Sequence, residues 1–153
     1  MIPQLFREID EREAEFSQSA LVIFSPDKAQ EGLIDLVCRT YLASEAADQK
    51  ILANHLADKE GILNCLLGFA YHCAGMLKRT GNVEWLRLGL ASSYLAKARM
   101  DYRDVLLAWA ELYVVAEEAG IPPDPEFQDI CKIDDFGHYA VVASRKSGVH
   151  QVV

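Results

Sequence analysis

Apolar residues recur at helical spacing through most of the chain, and recognisable start and stop signals bound each helical segment. The clearest segment, DYRDVLLAWAELYVVAEEAGIPP, begins with Asp101 and Asp104 and ends at Gly120 before Pro122 and Pro123. Acidic residues favour the first turn of a helix, and glycine followed by proline is typical of a helix end. No hairpin signal and no sustained apolar–polar alternation competes with this pattern. The sequence therefore predicts an all-α protein.

The same signals predict six further helices. They span residues 3–18, 25–43, 44–56, 58–81, 82–98 and 124–133. Ser25, Ser44 and Asn82 are the predicted N-caps, because their side-chain oxygens can accept hydrogen bonds from first-turn amides. Gly81 is the predicted end of the helix over 58–81.

Two architectures fit these helices. The segment ILANHLADKEGIL over 51–63 aligns with YLAKARMDYRDVL over 94–106, at an offset of 43 residues. Helix pairs that repeat at about this length are typical of HEAT-like solenoids. The alternative is a compact bundle of about six helices, in which two amphipathic helix pairs align by chance. Either forms a single domain over 1–153, with 136–153 as a loosely ordered tail in which HYAVVAS fits a strand or a helical turn.

The acidic balance of the chain restricts its partners and location. The formal net charge of −8 repels phosphate backbones, so we expect no nucleic acid and favour a basic protein partner. No apolar run approaches the ~20 residues of a membrane span, and the first residues carry acids where a signal peptide carries bases. The four cysteines form no Cys-x-x-Cys pair and are expected to be reduced and mostly buried. These features predict a cytoplasmic protein that does not bind a membrane.

A resemblance covers less than a third of the chain. The segment WLRLGLASSYLAKARMDYRDVLLAWAELYVVAEEAGIPPDPEF over 85–127 resembles a pattern in small, mostly uncharacterised, all-helical (HEAT-like) bacterial proteins. In that pattern a Trp-Leu-x-x-Gly-Leu-Ala helix precedes an Asp-x-Arg-Asp-x-Leu helix, which ends in Ala-Gly-Ile and a proline-rich turn. The resemblance implies a bacterial cytosolic helical domain, in some cases an immunity-type inhibitor, and it implies no catalytic residues.

An unusual stripe of small residues lies in GILNCLLGFAYHCAG over 61–75. Its helical spacing places five residues on one side of a helix. They are Gly61, Cys65, Gly68, His72 and Gly75. Each glycine inside a helix costs about 1 kcal/mol relative to alanine, so a compensating contact is expected. That contact is either a closely packed neighbouring helix or a groove that binds a partner.

The spacing of the stripe disfavours metal binding and catalysis. Cys65 and His72 lie seven residues apart, which is about 10 Å along a helix axis. That distance is too long for a shared metal ion or for a hydrogen-bonded cysteine–histidine pair. Helical zinc spacing, repeated Glu-x-x-His, phosphate loops and Gly-x-Ser-x-Gly are not found. We therefore predict no metal, no cofactor and no catalytic residues, and keep an enzyme or ligand-binding protein with a pocket near His72 as the alternative.

The segment EIDEREAE over 8–15 holds five acidic residues and one arginine. Glu8, Glu11 and Glu15 share one side of the predicted helix. The apolar side of that helix consists of Leu5, Ile9 and Phe16. A solvated face is the simplest interpretation, but this segment is also the best candidate for recognising a basic partner.

The sequence thus favours a non-enzymatic protein-interaction module. Its most specific form is an immunity-type inhibitor that neutralises a basic partner through Glu8, Glu11 and Glu15. A third possibility is a self-associating structural protein that buries the glycine stripe in a homodimer.

Overall fold

The computed structural model describes residues 2–16, 26–97 and 102–121. Within these ranges the chain forms six α-helices and one short 3-10 turn, and no strand. The helices are α1 (Ile2–Arg12), α2 (Lys28–Ala43), α3 (Ala46–Leu56), α4 (Glu60–Thr80), α5 (Val83–Ala96) and α6 (Tyr102–Glu118), and the 3-10 turn Glu13–Glu15 follows α1. The prediction of an all-α protein is confirmed, and the architecture is the bundle of six helices.

Several predicted helix ends are confirmed by backbone geometry. Gly81 follows α4 with φ of 69°, and Gly120 follows α6 with φ of 75°. Both lie in the left-handed region that glycine adopts without steric cost. Asn82 caps α5, because its side-chain oxygen accepts a hydrogen bond of 3.0 Å from the Glu84 amide. The chain therefore passes from α4 to α5 within two residues, as the sequence predicts.

Two predicted N-caps are wrong. The N-cap of α2 is Asp27 rather than Ser25: its carboxylate accepts from the Gln30 amide at 2.8 Å, and the Gln30 side chain accepts from the Asp27 amide at 3.0 Å. This reciprocal capping box satisfies two backbone donors, which a single capping serine cannot do. The hydroxyl of Ser44 donates to the Thr40 carbonyl at 2.6 Å and thus closes α2, while Glu45 precedes α3 without a side-chain cap.

Helix α4 lies at the centre of the described fold. Every residue over 61–70 is buried, so the first half of α4 is covered on all sides. Helix α5 packs along α4 and also contacts α6 and α2. A helix that is covered on all sides is expected to be mostly apolar or small on all sides, and glycine, alanine and cysteine accordingly fill positions between the leucines of α4, with Asn64 as a buried polar residue.

Three helices approach each other closely at Gly89 of α5. A Cβ atom at this position would stand 2.7 Å and 2.9 Å from the two methyl carbons of Leu112 on α6. It would also stand 3.0 Å from Cβ of Cys73 on α4. Only glycine fits the existing spacing of α4, α5 and α6 at this point.

Polar groups inside the bundle are paired with backbone carbonyls. The hydroxyl of Ser92 on α5 donates to the Leu66 carbonyl on α4. The Nε1 atom of Trp109 on α6 donates to the Leu90 carbonyl at 3.3 Å. Because an unpaired buried donor is costly, these bonds help to fix α5 between its two neighbours.

The helix contacts do not support the internal repeat. The alignment pairs α3 and α4 with α5 and α6. Helix α5 packs along α6, whereas α3 packs on α2 and contacts α4 little. The two helix pairs therefore have different surroundings, which fits a bundle rather than two equivalent solenoid units.

Other sequence predictions lie outside the described residues. They concern the helix over 124–133 and the loosely ordered tail over 136–153. Of the helices within 2–16, 26–97 and 102–121, none combines the length and apolar character needed to cross a membrane.

Candidate functional site

The glycine stripe of α4 is divided between the interior and the surface. Gly61, Cys65 and Gly68 are buried, His72 is partly exposed and Gly75 is exposed. A Cβ atom at Gly75 would meet nothing within 4 Å. The stripe therefore does not form one continuous open groove in the described fold, and Gly75 is not a place of close packing. The two roles predicted for Gly61 and Gly68, close helix packing or partner binding, stay predictions.

His72 lies where α2, α4 and α5 meet. Its ring centroid is 5.9 Å from that of Phe69 in a stacked arrangement and 5.9 Å from that of Trp85 in an edge-on arrangement. Its Nε2 atom is 3.6 Å from Oε1 of Glu31 on α2. These aromatic neighbours and the nearby carboxylate orient the imidazole. None of these three neighbours is a serine, threonine or cysteine that the imidazole could activate as a nucleophile.

The three described cysteines are buried and free. Burial raises the pKa of Cys38 and Cys65 to about 12, and it also raises the pKa of Cys73. A thiol is nucleophilic as the thiolate, which burial in apolar surroundings disfavours. Cys38, Cys65 and Cys73 are therefore structural side chains in this fold rather than activated nucleophiles. Cys131 lies outside the described residues.

In the part of the chain that the structure describes, no three histidine, cysteine, aspartate or glutamate side chains converge as metal ligands. Cys65 is buried, whereas His72 is partly exposed. The expectation that Cys65 and His72 share no metal ion still rests on their spacing of seven residues along the helix.

The acidic side of α1 faces outward because its apolar side is buried. Leu5, Ile9 and Phe16 are each at most 2% exposed. Glu11 is exposed, and the side chains of Glu8 and Glu15 are 44% and 46% exposed. Glu8 and Glu11 lie on α1, whereas Glu15 lies in the 3-10 turn, because α1 ends at Arg12 rather than continuing to residue 18 as predicted. A role of the three glutamates in binding stays a prediction.

Arg12 lies between two of these glutamates. Its guanidinium is 2.9 Å from Glu15 and 3.4 Å from Glu8. The Arg12 hydrogen bond holds the pKa of Glu15 below its usual value, and Arg12 also donates to the Ala29 carbonyl at 2.8 Å. The arginine thus neutralises part of the acidic side and ties the end of α1 to the start of α2.

A second contact of α1 could not be predicted from the sequence. The Nε2 atom of His55 on α3 is 2.8 Å from Oδ1 of Asp10, and the His55 ring stacks on Phe6 with centroids 4.0 Å apart. The contact joins residues 45 positions apart, and no local motif carries it. The only signal in the sequence was the presence of an acidic residue and of a histidine that had no predicted role.

Comparison of the chain with protein-family models, with curated proteins and with solved structures finds no match. The resemblance over 85–127 therefore remains an expectation that rests on the residues of that segment.

Proposed function

We propose that this chain is a non-enzymatic, cytoplasmic protein-interaction module that binds a basic protein through Glu8 and Glu11 on α1 and Glu15 in the following 3-10 turn. Inhibition of that partner, in the manner of an immunity protein, is the specific form suggested by the resemblance over 85–127. The observation that carries the proposal is the exposure of these glutamates on a segment whose apolar residues are buried in the bundle.

The fixed position of the acidic side supports recognition of a partner. Arg12 holds Glu8 and Glu15 by its ion pairs, so their carboxylates need little further ordering when a partner binds. Arg12, which pairs with Glu8 and Glu15, balances the charge of only one of the three glutamates, so this surface stays negative. The net charge of −8 extends this field beyond α1 and would steer a basic protein toward the domain.

The alternative, an enzyme or ligand-binding protein with a pocket near His72, has weaker support. His72 has an acidic and two aromatic neighbours, which is an ordinary setting for a surface histidine packed on a core. The thiols of Cys38, Cys65 and Cys73 are buried and protonated at neutral pH, so they offer no thiolate to such a site.

The test reverses the charge of the three glutamates. Wild-type protein and the variant Glu8→Lys/Glu11→Lys/Glu15→Lys are used to capture partners, and association and dissociation rates are measured at low and high salt. We expect the variant to associate roughly tenfold more slowly at low salt, with a smaller change in dissociation, because exposed charges act mainly through steering. The difference should shrink at high salt, where screening shortens the range of the field.

A matched control carries the same change in net charge elsewhere. Glu45, Glu117 and Glu118 are exposed; Glu45 immediately precedes α3, and Glu117 and Glu118 end α6. Replacing these three by lysine should slow association less than the α1 variant does. An equal effect of both variants would assign steering to net charge alone, and a salt-independent rate or an acidic partner would contradict the proposal.

A further inference from the structure

The end of α1 and the start of α2 are joined by side chains that donate to backbone carbonyls of the other segment. Nη2 of Arg12, the last residue of α1, donates to the Ala29 carbonyl at 2.8 Å. Nε2 of Gln30 donates in the other direction, to the Glu15 carbonyl of the 3-10 turn, at 3.1 Å. These bonds join residues 17 and 15 positions apart, so they are tertiary contacts rather than parts of either helix.

Gln30 uses both polar atoms of its side-chain amide. Its Oε1 accepts from the Asp27 amide at 3.0 Å and so completes the capping box of α2, while its Nε2 is the donor to Glu15. A carboxylate can only accept and an ammonium group can only donate, whereas an amide does both. Glutamate at residue 30 would complete the same capping box but could not bond to the Glu15 carbonyl.

Glu15 is therefore held at its backbone and at its side chain. Its carbonyl accepts from Gln30, and its carboxylate accepts from Nε and Nη2 of Arg12 at 2.9 Å and 3.2 Å. The Arg12 hydrogen bond is the main reason that the pKa of Glu15 lies below its usual value, while the nearby Asp27 acts in the opposite direction. Since Arg12 is itself bonded to the Ala29 carbonyl, both connections of Glu15 lead to the first turn of α2.

We infer that Gln30 is a positioning residue, which couples the N-cap of α2 to the 3-10 turn and so fixes where Glu15 lies relative to Glu8 and Glu11. The part of this coupling in partner binding rests on the proposed function, in which these three glutamates bind the basic protein. Charged groups that are fixed before binding lose less conformational freedom when the partner arrives. An uncharged residue of α2 thus determines the geometry of an acidic surface that lies outside α2.

Two substitutions separate the two hydrogen bonds of this side chain. Gln30→Glu keeps the acceptor for the Asp27 amide and loses the donor to the Glu15 carbonyl. Gln30→Lys keeps a donor for the Glu15 carbonyl and loses the acceptor. Lys28→Gln is the matched control for Gln30→Glu, because it makes the net charge more negative by the same amount. Lys28 is exposed and lies two residues away, and this control leaves the amide of Gln30 in place.

Hydrogen exchange in the full chain reports on each bond separately. The Phe16 amide donates to the Glu13 carbonyl at 3.0 Å within the 3-10 turn, and the Glu31 amide donates to the Asp27 carbonyl at 2.8 Å at the start of α2. In Gln30→Glu we expect protection of the Phe16 amide to fall roughly threefold to tenfold and that of the Glu31 amide by less than about twofold. In Gln30→Lys the Glu31 amide should lose more protection than the Phe16 amide.

Titration of the Glu15 carboxyl group by NMR adds a readout that a general loss of stability does not change. Gln30→Glu should raise the pKa of Glu15 toward its usual value more than Lys28→Gln does, because a released turn no longer keeps Glu15 on Arg12. Unchanged protection of the Phe16 amide in Gln30→Glu, or equal effects of Gln30→Glu and Lys28→Gln on the pKa of Glu15, would overturn the inference. Neither measurement needs a partner, so a failure here is distinct from a failure of the association experiment that tests the proposed function.

Discussion

Gly89 and Leu112 approach so closely that a Cβ atom on Gly89 would stand 2.7 Å from Cδ2 of Leu112. Leu112 is fully buried, so its side chain must be repacked within the core to make room for such an atom. The backbone of α5 can therefore lie against α6 at this distance only because residue 89 has no side chain. At this contact the described fold requires glycine for close packing.

Gly89→Ala should destabilise the protein. Adding one methyl group to a filled core typically costs 1–3 kcal/mol, although alanine alone would favour the helix by about 1 kcal/mol. The added Cβ meets Cβ of Cys73 at 3.0 Å as well, and that atom is fixed to the α4 backbone. Urea unfolding of both proteins gives the change in the free energy of unfolding.

The second substitution in this experiment is Leu112→Val, which removes one carbon from the opposing side chain. If the clash with Leu112 causes the loss, the double variant should cost less than the sum of the two single variants. If the losses in the free energy of unfolding of the two single variants simply added, or if Gly89→Ala were stabilised, α5 and α6 would be able to move apart at little cost.

Gly75→Ala should have the opposite effect. Gly75 is exposed inside α4, and a Cβ atom there meets nothing within 4 Å. Alanine should therefore stabilise the protein by about 0.5–1 kcal/mol, because it loses less backbone freedom on folding and introduces no clash. Thermal unfolding monitored by circular dichroism measures the shift. A loss of stability here would show that a close contact exists at Gly75 after all.

The contrast between Gly75 and Gly89 shows what periodicity can and cannot predict. Spacing correctly places Gly61, Gly68 and Gly75 on one side of α4. It does not say which part of that side is covered, because burial depends on how the helices cross. Gly89 stands alone in an apolar segment and breaks no periodic pattern, so no local signal marks it. Its role arises from the crossing of three helices.

Helix ends could be predicted better than burial, because helix ends depend more on local chemistry. Gly81, Asn82 and Gly120 could be predicted because each acts on backbone groups within a few residues. The predicted N-cap of α2 was wrong because Ser25 and Asp27 both offer capping oxygens. The reciprocal hydrogen bonds between Asp27 and Gln30 favour Asp27. The pairing of Asp10 with His55 was beyond prediction, since it requires the packing of α1 on α3.

Asp27→Ala should therefore destabilise α2 and the fold. Loss of an N-cap side chain typically costs about 1 kcal/mol, because first-turn amides lose their acceptor. Ser25→Ala is the comparison variant and should change stability by less, since Asp27 already accepts from the Gln30 amide. If chemical unfolding gave equal losses in the free energy of unfolding for the two variants, Ser25 would have to contribute to the cap as much as Asp27.

The buried thiols predict a specific dependence of stability on alkaline pH. The pKa of Cys38 and Cys65 is raised by burial from 9.0 to about 12. Above about pH 9 these thiols ionise in the unfolded chain but stay protonated in the fold, so the free energy of unfolding should fall as the pH rises from about 9 toward 12. Tyr71, whose pKa burial raises to about 12, contributes in the same direction.

Alkylation by iodoacetamide separates the thiols from the tyrosine. At about pH 8 the peptides that carry Cys38 and Cys65 should react at least about 100-fold more slowly in the native protein than in denaturant, because the fold both covers the sulfur and disfavours the thiolate. Raising the pH to about 9.5 should speed the unfolded reaction severalfold and the native reaction little. Mass spectrometry of the separate peptides gives each rate. Native rates that match the unfolded ones, and rise with them, would mean that these cysteines are open to solvent and that an activated thiol must be considered again.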